Sequence, residues 1–289
     1  MDTTPDQHVA THRAAGRTVT AGGLDAFVRE EGDGPPVLCL HGVPVSSYLY
    51  RKVLPELADR GCRGIAYDLP GLGFTDRPED FDYSWSGLAV WSADLVEALD
   101  LDRLHLVVHD IGGPVGLLLA EHLGERVRSL TVLNTITDPT RFTPPPVMRP
   151  FTVSGLGEAW LKATIDPAFL ALMRWQGVAG RGVTNAELLA HRRLLLRDDG
   201  GAAFLRIMRS YEYDEATAAR MRAGLHVTEH RQVVWGEKDP ALRLDRYGTM
   251  ARDVADVDTI HRLPGKHFLQ EDCAPAIANL VADQVLRAV

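Results

Sequence analysis

The sequence predicts a protein of the α/β class, with a doubly wound, mostly parallel sheet that is interrupted by a helical insertion. Three observations support this prediction: short apolar runs bounded by turn residues, helical patterns that alternate with those runs, and one long stretch with helical patterns only. Regular alternation of strands and helices favours a parallel sheet covered by helices on both faces. A chain of 289 residues is long enough for one such domain with an insertion.

The first part of the chain supplies a hairpin and four strands of this predicted sheet. Two short strands flank the glycine pair in TVTAGGLDAFVREEG, which is typical of a hairpin. The next predicted strands are the apolar runs in PPVLCLHG, GIAYDLPGLG, LHLVV and SLTVLN, and runs of this kind are typical of buried parallel strands. Helical patterns separate them at about residues 46–60, at residues 84–99 and directly after LHLVV.

After the last of these strands the alternation ends, and a helical insertion is predicted. The stretch TDPTRFTPPPVMRPF is rich in proline, and the residues beyond it carry helical patterns, with a capping box at Thr184, until strand character returns with RQVVWG. We therefore predict an α/β core of residues 1–136 and 227–289 and a helical cap of residues 137–226. An insertion after the carboxyl end of a strand lies over the ligand-binding edge of an open sheet, which favours a lid. A packing appendage without substrate contact is the alternative.

The composition restricts the classes of partner. The net charge is −8 and the isoelectric point is about 5.8, so nucleic acid has no electrostatic attraction to this chain. Cys39, Cys62 and Cys273 are far apart and show no metal-binding spacing, which favours a reducing compartment and predicts no metal. No apolar run reaches the roughly 20 residues of a membrane span, and the first residues lack the pattern of a signal peptide. We expect a cytoplasmic monomer or homodimer without membrane contact.

The stretch LVVHDIGGPVGLLLAEHL places Asp110 at a tight corner between a predicted strand and a predicted helix. Gly112 and Gly113 are the small residues that a nucleophile elbow needs, whereas Val108 stands where the usual elbow pattern has glycine. An aspartate before a helix is also a common N-cap. A nucleophile and a helix cap therefore both fit this position.

Two distant residues favour the nucleophile. Asp239, in VVWGEKDPAL, follows a predicted strand, and His267, in LPGKHFLQED, lies in a loop further along the chain. Nucleophile, acid and histidine in this chain order are typical of the α/β-hydrolase fold. In that fold the backbone N–H groups of Val43, which follows the HG of LHGVP, and of Ile111 would form an oxyanion hole. A simple turn is the alternative interpretation of LHGVP.

Five motifs carry a family resemblance: HGVPVSSYLYRKVLP, YDLPGLGFTDRP, VVHDIGG, WGEKDPAL and KHFLQED. Together they resemble the haloalkane dehalogenase and epoxide hydrolase branch of the α/β-hydrolases, over residues 22–137 and from residue 227 to the end, while the cap matches poorly. The resemblance implies an α/β-hydrolase fold with an aspartate nucleophile. It also implies a small, largely apolar organic substrate and neither cofactor nor metal.

A carboxylate nucleophile implies a particular mechanism. Asp110 would attack a saturated carbon and displace its leaving group, which leaves an alkyl ester that water can cleave. His267, oriented by Asp239, would remove a proton from that water. We therefore predict a cofactor-free hydrolase of the haloalkane dehalogenase type. An epoxide hydrolase that yields vicinal diols is the second candidate, and a binder of small apolar molecules without turnover is the third.

The sequence departs from the dehalogenase pattern at the leaving group. Dehalogenases of this branch usually hold the halide with a Trp after the nucleophile, and with an Asn after the HG or a Trp in the lid. Ile111 and Val43 occupy the first two of these positions and have no side-chain donor. Trp175 lies where one subgroup carries its lid Trp, with simple packing as the alternative. The halide clamp is therefore predicted to be incomplete.

Epoxide hydrolases of this branch protonate the opening ring with cap tyrosines. RSYEYDE offers Tyr211 and Tyr213, which are two residues apart and cannot share one face of a helix, so one of them is expected to reach the substrate. Packing or surface tyrosines are the alternative. His109 is expected to support the elbow. Asn134 is expected either to hydrogen-bond near the predicted histidine–acid pair or to cap the end of its strand.

Overall fold

The computed structural model describes residues 3–180 and 182–288. Within them, one sheet contains the strands β1 (Gly16–Ala21), β2 (Leu24–Glu31), β3 (Pro36–Leu40), β4 (Arg63–Tyr67), β5 (Leu104–Asp110), β6 (Val127–Thr135), β7 (Arg231–Gly236) and β8 (Ile260–Leu263). Their order across the sheet is β1-β2-β4-β3-β5-β6-β7-β8. β1 and β2 form the predicted hairpin, β2 also pairs antiparallel with β4, and the remaining pairings are parallel. The predicted α/β class with a mostly parallel sheet is confirmed.

The parallel strands bring the candidate site residues to one edge of the sheet. β5 lies in the middle of the sheet, and its residues are buried as far as His109 because helices cover both faces. The carboxyl ends of parallel strands meet at the same edge. Val43, Asp110, Asn134 and Asp239 therefore lie near one another, at or just beyond the ends of β3, β5, β6 and β7.

Helices cover the sheet and build the insertion. Those of the core are α1 (Pro5–Ala14), α2 (Val53–Ala58), α3 (Trp85–Ala98), α4 (Gly112–Leu123), α10 (Thr249–Ala255), α11 (Leu269–Asp272) and α12 (Ala274–Arg287). Those between β6 and β7 are α5 (Leu156–Ala163), α6 (Asp166–Leu172), α7 (Asn185–Leu195), α8 (Ala202–Arg209) and α9 (Glu215–Leu225). The insertion contributes no strand to the sheet within its described residues. A helical cap on an α/β core is thus confirmed, while its limits at residues 137 and 226 stay a prediction.

Two local expectations are corrected. The helix predicted at about residues 46–60 is shorter, because Ser47–Tyr50 forms a separate 3-10 turn before α2. Asp68 Oδ1 accepts the backbone N–H of Ser47 at 2.7 Å, so a contact distant in the chain sets the start of this turn. β8 was missed by the apolar pattern because it is an edge strand whose His261 and Arg262 are exposed.

The last helix of the insertion rests on the core. A Cβ atom on Gly224 of α9 would lie 1.8 Å from the carbonyl oxygen of Leu117 in α4, so only glycine allows these helices to pack so closely. In the described part of the chain, no helix has the length and apolar character needed to cross a membrane.

Candidate active site

Asp110 occupies a strained corner at the end of β5. Its φ angle is +52°, in the left-handed region that costs an ordinary residue about 1–2 kcal/mol, and such strain is concentrated at functional sites. Neighbouring glycines make the corner possible: a Cβ on Gly112 would lie 2.5 Å from the His41 carbonyl oxygen, and one on Gly42 would lie 2.1 Å from Asp110 Oδ1. The backbone therefore turns from strand to helix with the Asp110 carboxylate at the sheet edge.

The structure brings the three predicted side chains into one hydrogen-bonded chain. His267 Nε2 lies 3.2 Å from Asp110 Oδ2, and His267 Nδ1 lies 2.8 Å from Asp239 Oδ2. Val43 donates its backbone N–H to Asp110 Oδ1 at 2.8 Å. Ile111, the second predicted oxyanion-hole donor, makes no hydrogen bond to this carboxylate among the described residues.

Asp239 is held by several donors besides the histidine. Its Oδ1 accepts the backbone N–H groups of Ala241 and Leu242, at 2.8 and 2.9 Å. Asn134 donates its side-chain N–H to Asp239 Oδ2 at 2.7 Å, and its own Oδ1 accepts the Gly236 N–H at 2.8 Å. Asn134 therefore hydrogen-bonds to the acid of the histidine–acid pair, as the first interpretation expected, and its side chain joins the end of β6 to the end of β7 instead of capping its own strand.

The charges of these groups stabilise one another. Burial raises the pKa of Asp110, but the hydrogen bond and charge of His267 outweigh burial and leave the pKa below its ordinary value. Burial likewise opposes ionisation of Asp239, while His267 and the backbone donors keep that pKa low. Burial lowers the pKa of His267, yet the charge of Asp239 and the hydrogen bond to Asp110 raise it to about 10. Both carboxylates therefore favour the protonated form of His267 in the resting site.

His109 supports the loop of His267. Burial and the charge of His267 lower the pKa of His109 to about 4, so its ring is neutral at pH 7. Its Nε2–H donates to the backbone oxygen of His267 at 2.9 Å.

Two motifs of the predicted core meet beside this site. Arg51, from SSYLYRK, binds both carboxylate oxygens of Glu271, from HFLQED, and also Glu187 of α7. Burial opposes ionisation of Glu271, but the charge of Arg51 holds its pKa well below the ordinary value. The ion pairs join the core, the loop after His267 and the cap.

Asp110 and His267 face a narrow cavity beneath the cap. Its wall is largely apolar and includes Phe142, Phe151, Leu161, Phe169, Met173 and Phe204. The space inside it that admits the centres of water molecules is about 80 Å³. Besides Asp110 and His267, the polar side chains in the described part of the wall are those of Thr164, Gln176 and Tyr211. Thr164 and Gln176 were not predicted from the sequence, because neither residue belongs to a recognisable motif.

The structure places the three cap candidates differently from one another. Tyr211 lines the cavity, whereas Trp175 is 61% exposed and Tyr213 is 42% exposed, and neither contributes to the wall. Trp175 lies in a wide helical turn, Met173–Gly177, whose Met173 and Gln176 face the cavity, so Trp175 faces solvent. The tyrosines lie in a loop between α8 and α9, not in a helix. Of the three candidates, Tyr211 is therefore the one that the described cavity wall includes, and Trp175 and Tyr213 lie outside that wall.

The fold and this site define a capped α/β-hydrolase, and comparisons identify its branch. The family described as the alpha/beta hydrolase fold matches residues 35–171. The chain is 30% identical over 276 residues to haloalkane dehalogenase 2 of Mycobacterium tuberculosis, covering 88% of this chain and 89% of that protein. The chain therefore belongs to the haloalkane dehalogenase and epoxide hydrolase branch of the α/β-hydrolase family, and it is a hydrolase of one of these two types.

Solved structures show the same fold. The haloalkane dehalogenase DbeA from Bradyrhizobium elkani superposes with a TM-score of 0.76 at 24% identity, covering 94% of this chain and 98% of DbeA. The epoxide hydrolase VrEH1 from Vigna radiata superposes with a TM-score of 0.74 at 23% identity, covering 94% and 97%. The fold itself is thus shared by both types of enzyme.

Proposed function

We propose that this protein hydrolyses the carbon–halogen bond of a small, largely apolar molecule through an ester formed on Asp110. One arrangement carries the proposal: the Asp110 carboxylate faces an apolar cavity, with one oxygen on the Val43 N–H and the other beside His267. A serine at this position would form an ether with a saturated carbon, which water does not cleave readily. An aspartate forms an ester, which a general base and water can cleave.

In the first step, Asp110 Oδ2 bonds to the substrate carbon while the carbon–halogen bond breaks, and the halide leaves with the bonding electrons. Oδ1 stays on the Val43 N–H and becomes the carbonyl oxygen of the ester. Thr164 and Gln176 carry side-chain donors in the described wall and are the candidates to hold the halide. This step needs no proton transfer from His267.

Ester formation prepares His267 for the second step. The negative charge of Asp110 is one of the causes that raise the pKa of His267, and the ester has no such charge. The pKa of His267 therefore falls when the ester forms, which favours release of the ring proton. The neutral imidazole of His267 can then act as the base while the ester is present, which is when the second step needs one.

In the second step, His267 takes a proton from water, and the hydroxide adds to the ester carbon of Asp110. The Val43 N–H stabilises the charge on Oδ1, and a single donor of this kind contributes about 2.7–4 kcal/mol in a studied protease. The bond between the Asp110 ester carbon and Oδ2 then breaks, and the leaving alkoxide takes the proton from His267. The new Asp110 carboxyl group passes the proton of the added hydroxide to His267, which restores the carboxylate for the next cycle. Water and an alkyl halide thus become an alcohol, a proton and a halide.

The cavity supports a small substrate. The space that admits the centres of water molecules is about 80 Å³ and its wall is largely apolar, so a small apolar molecule fits the cavity better than a large or charged one. The division into a core of residues 1–136 and 227–289 and a cap of residues 137–226 is part of this proposal, since the cap supplies most of the apolar wall.

The origin of the product oxygen tests the mechanism. In a single turnover of 1,2-dibromoethane in ¹⁸O-water, with enzyme in excess, we expect unlabelled alcohol and one ¹⁸O on the peptide that contains Asp110. Mass spectrometry of product and peptide measures both. Labelled alcohol with an unlabelled peptide would mean that water attacks the substrate carbon directly. If no halide or epoxide gave any product, the remaining hypothesis would be a protein that binds small apolar molecules without turnover.

A second candidate is an epoxide hydrolase, which the position of Tyr211 favours. Tyr211 lines the cavity, and burial raises its pKa, so its hydroxyl stays protonated and is a donor. The hydroxyl now contacts Met208 Sδ at 3.2 Å, a weak acceptor that an epoxide oxygen can replace. The opened epoxide would take the proton of this hydroxyl, and hydrolysis of the ester would give a diol.

Tyr211→Phe distinguishes the two candidates. If the enzyme opens epoxides, we expect diol formation from styrene oxide to fall by about 10²-fold or more, because the ring oxygen loses its acid. Halide release from 1,2-dibromoethane should stay close to that of the unchanged enzyme. Tyr213→Phe, in the same loop but outside the cavity wall, is the matched control and should change neither rate. Equal losses on both substrates in Tyr211→Phe would instead indicate a packing role.

A further inference from the structure

Lys266, next to the candidate base, holds a segment of the cap. Its Nζ donates to the backbone oxygens of Arg174 and Trp175, at 2.7 and 2.8 Å. We refer to residues 174–180 as the cap strap and to residues 266–272 as the histidine loop. The ammonium group of Lys266 thus joins the first residue of the histidine loop to the start of the cap strap.

The contact continues along both segments through the backbone. His267 donates its N–H to the oxygen of Gln176 at 3.2 Å, and Phe268 donates to the oxygen of Gly177 at 2.8 Å. The approach is close, because a Cβ on Gly177 would lie 2.6 Å from a ring carbon of Phe268. Any shift of the cap strap therefore pulls directly on the backbone of His267.

The far end of the histidine loop is fastened to the same strap. The carboxylate of Asp272 accepts the backbone N–H groups of Ala179 and Gly180, at 2.6 and 2.8 Å. The cap strap and the histidine loop are thus hydrogen-bonded to each other at both ends and in the middle. Among these hydrogen bonds between described residues, only those of Lys266 are donated by a charged side chain.

The other side of Lys266 faces the acid of the site. Its backbone oxygen lies 3.4 Å from the side-chain nitrogen of Asn134, the same nitrogen that donates to Asp239 Oδ2 at 2.7 Å. Lys266 therefore lies between the cap strap and Asn134, the residue whose side chain holds Asp239. His267, the next residue, must span the gap between Asp239 and Asp110.

We propose that Lys266 is a positioning residue, which clamps the cap strap to the histidine loop and so aims His267 at the Asp110 ester and its water. The inference rests on the proposed function, because His267 acts in ester hydrolysis and not in ester formation. Displacement of a reacting group by about 1 Å can cost about 10²-fold in rate. Loss of the clamp should therefore slow the second step and leave the first step unchanged.

The test separates the two steps in Lys266→Met. With excess 1,2-dibromoethane in rapid-quench experiments, we expect a burst of bromide at the rate of the unchanged enzyme, followed by steady turnover slowed on the order of 10- to 100-fold. The ester should accumulate, which intact-protein mass spectrometry measures, and KM should fall with kcat because hydrolysis limits turnover. Lys266→Arg, which can still donate to both carbonyls, should restore most of the hydrolysis rate. Lys266→Gln is the second variant if Lys266→Met does not fold.

Arg209→Met is the matched control. Arg209 also donates to a cap backbone oxygen, that of Val153 at 3.3 Å, and pairs with Glu158, but it lies on α8, away from the histidine loop. This variant should lower the melting temperature without any accumulation of ester. If Lys266→Met slowed ester formation and ester hydrolysis equally, or changed neither rate, the inference would be overturned. The proposed function would still stand in that case as long as His267→Gln traps the ester. Absence of the ester in His267→Gln would overturn the proposed function and the inference with it.

Discussion

Replacement of Asp110 by asparagine is expected to abolish turnover, with a loss on the order of 10⁴-fold or more for halide and epoxide substrates. The amide cannot attack carbon as the carboxylate does, so no ester forms. The fold should persist, because asparagine also tolerates the left-handed backbone conformation of this corner. Initial rates of bromide release and diol formation, with circular dichroism as the check on folding, measure the result.

The control for this variant addresses the interpretation of Asp110 as a helix cap. Asp214 caps α9, since its Oδ1 accepts the Thr217 N–H at 2.9 Å. Asparagine caps a helix about as well as aspartate, so Asp214→Asn should leave turnover and stability nearly unchanged. Asp110→Asn would behave in the same way if Asp110 were only a cap. Retained turnover in Asp110→Asn would therefore refute the nucleophile.

The second large effect is expected for His267→Gln. Ester formation should proceed, but hydrolysis should slow by about 10³-fold or more, because water then lacks its general base. Each enzyme molecule should release one halide and retain one alkyl group. Intact-protein mass spectrometry should show the added mass, and peptide mapping should place it on Asp110.

The double variant Asp110→Asn/His267→Gln provides the control for this trapping experiment. It keeps the cavity but has no carboxylate to alkylate, so no mass should be added. An adduct in the double variant would place the alkylation on another residue. Undiminished steady turnover in His267→Gln would show that His267 is not the base.

The sequence predicted the elements that depend on local pattern. The elbow at Asp110 follows from an apolar strand, two glycines and a helical pattern in succession, and the structure has strand, corner and helix there. Asp239 was found because it follows a predicted strand, and His267 because it lies in a loop that completes the chain order of nucleophile, acid and histidine. Parallel strands place such positions at one edge of the sheet whatever the details of packing. The clustering of the three residues could therefore be predicted from the sequence, whereas the distances between their side chains could not.

The cap residues could not be predicted in this way. Trp175 occupies the position of a lid tryptophan in the sequence, yet a wide turn directs it to solvent and directs Gln176 to the cavity. Tyr211 and Tyr213 are equivalent by pattern, and the loop that holds them selects Tyr211. Lys266 belongs to the motif KHFLQED, but the motif does not indicate its role, because that role depends on carbonyl groups about ninety residues away in the chain.

The sequence by itself determined the class of the sheet, the corner at Asp110 and the chemical identity of the three aligned groups, because apolar periodicity, glycine geometry and chain order are local properties. The tertiary structure decided which cap side chains reach the substrate, how narrow the cavity is and how the cap is tied to His267. Those features depend on the packing of segments that are distant in the chain. In the turn Met173–Gly177, for example, the local backbone conformation decides that Gln176 faces the cavity and that Trp175 faces solvent.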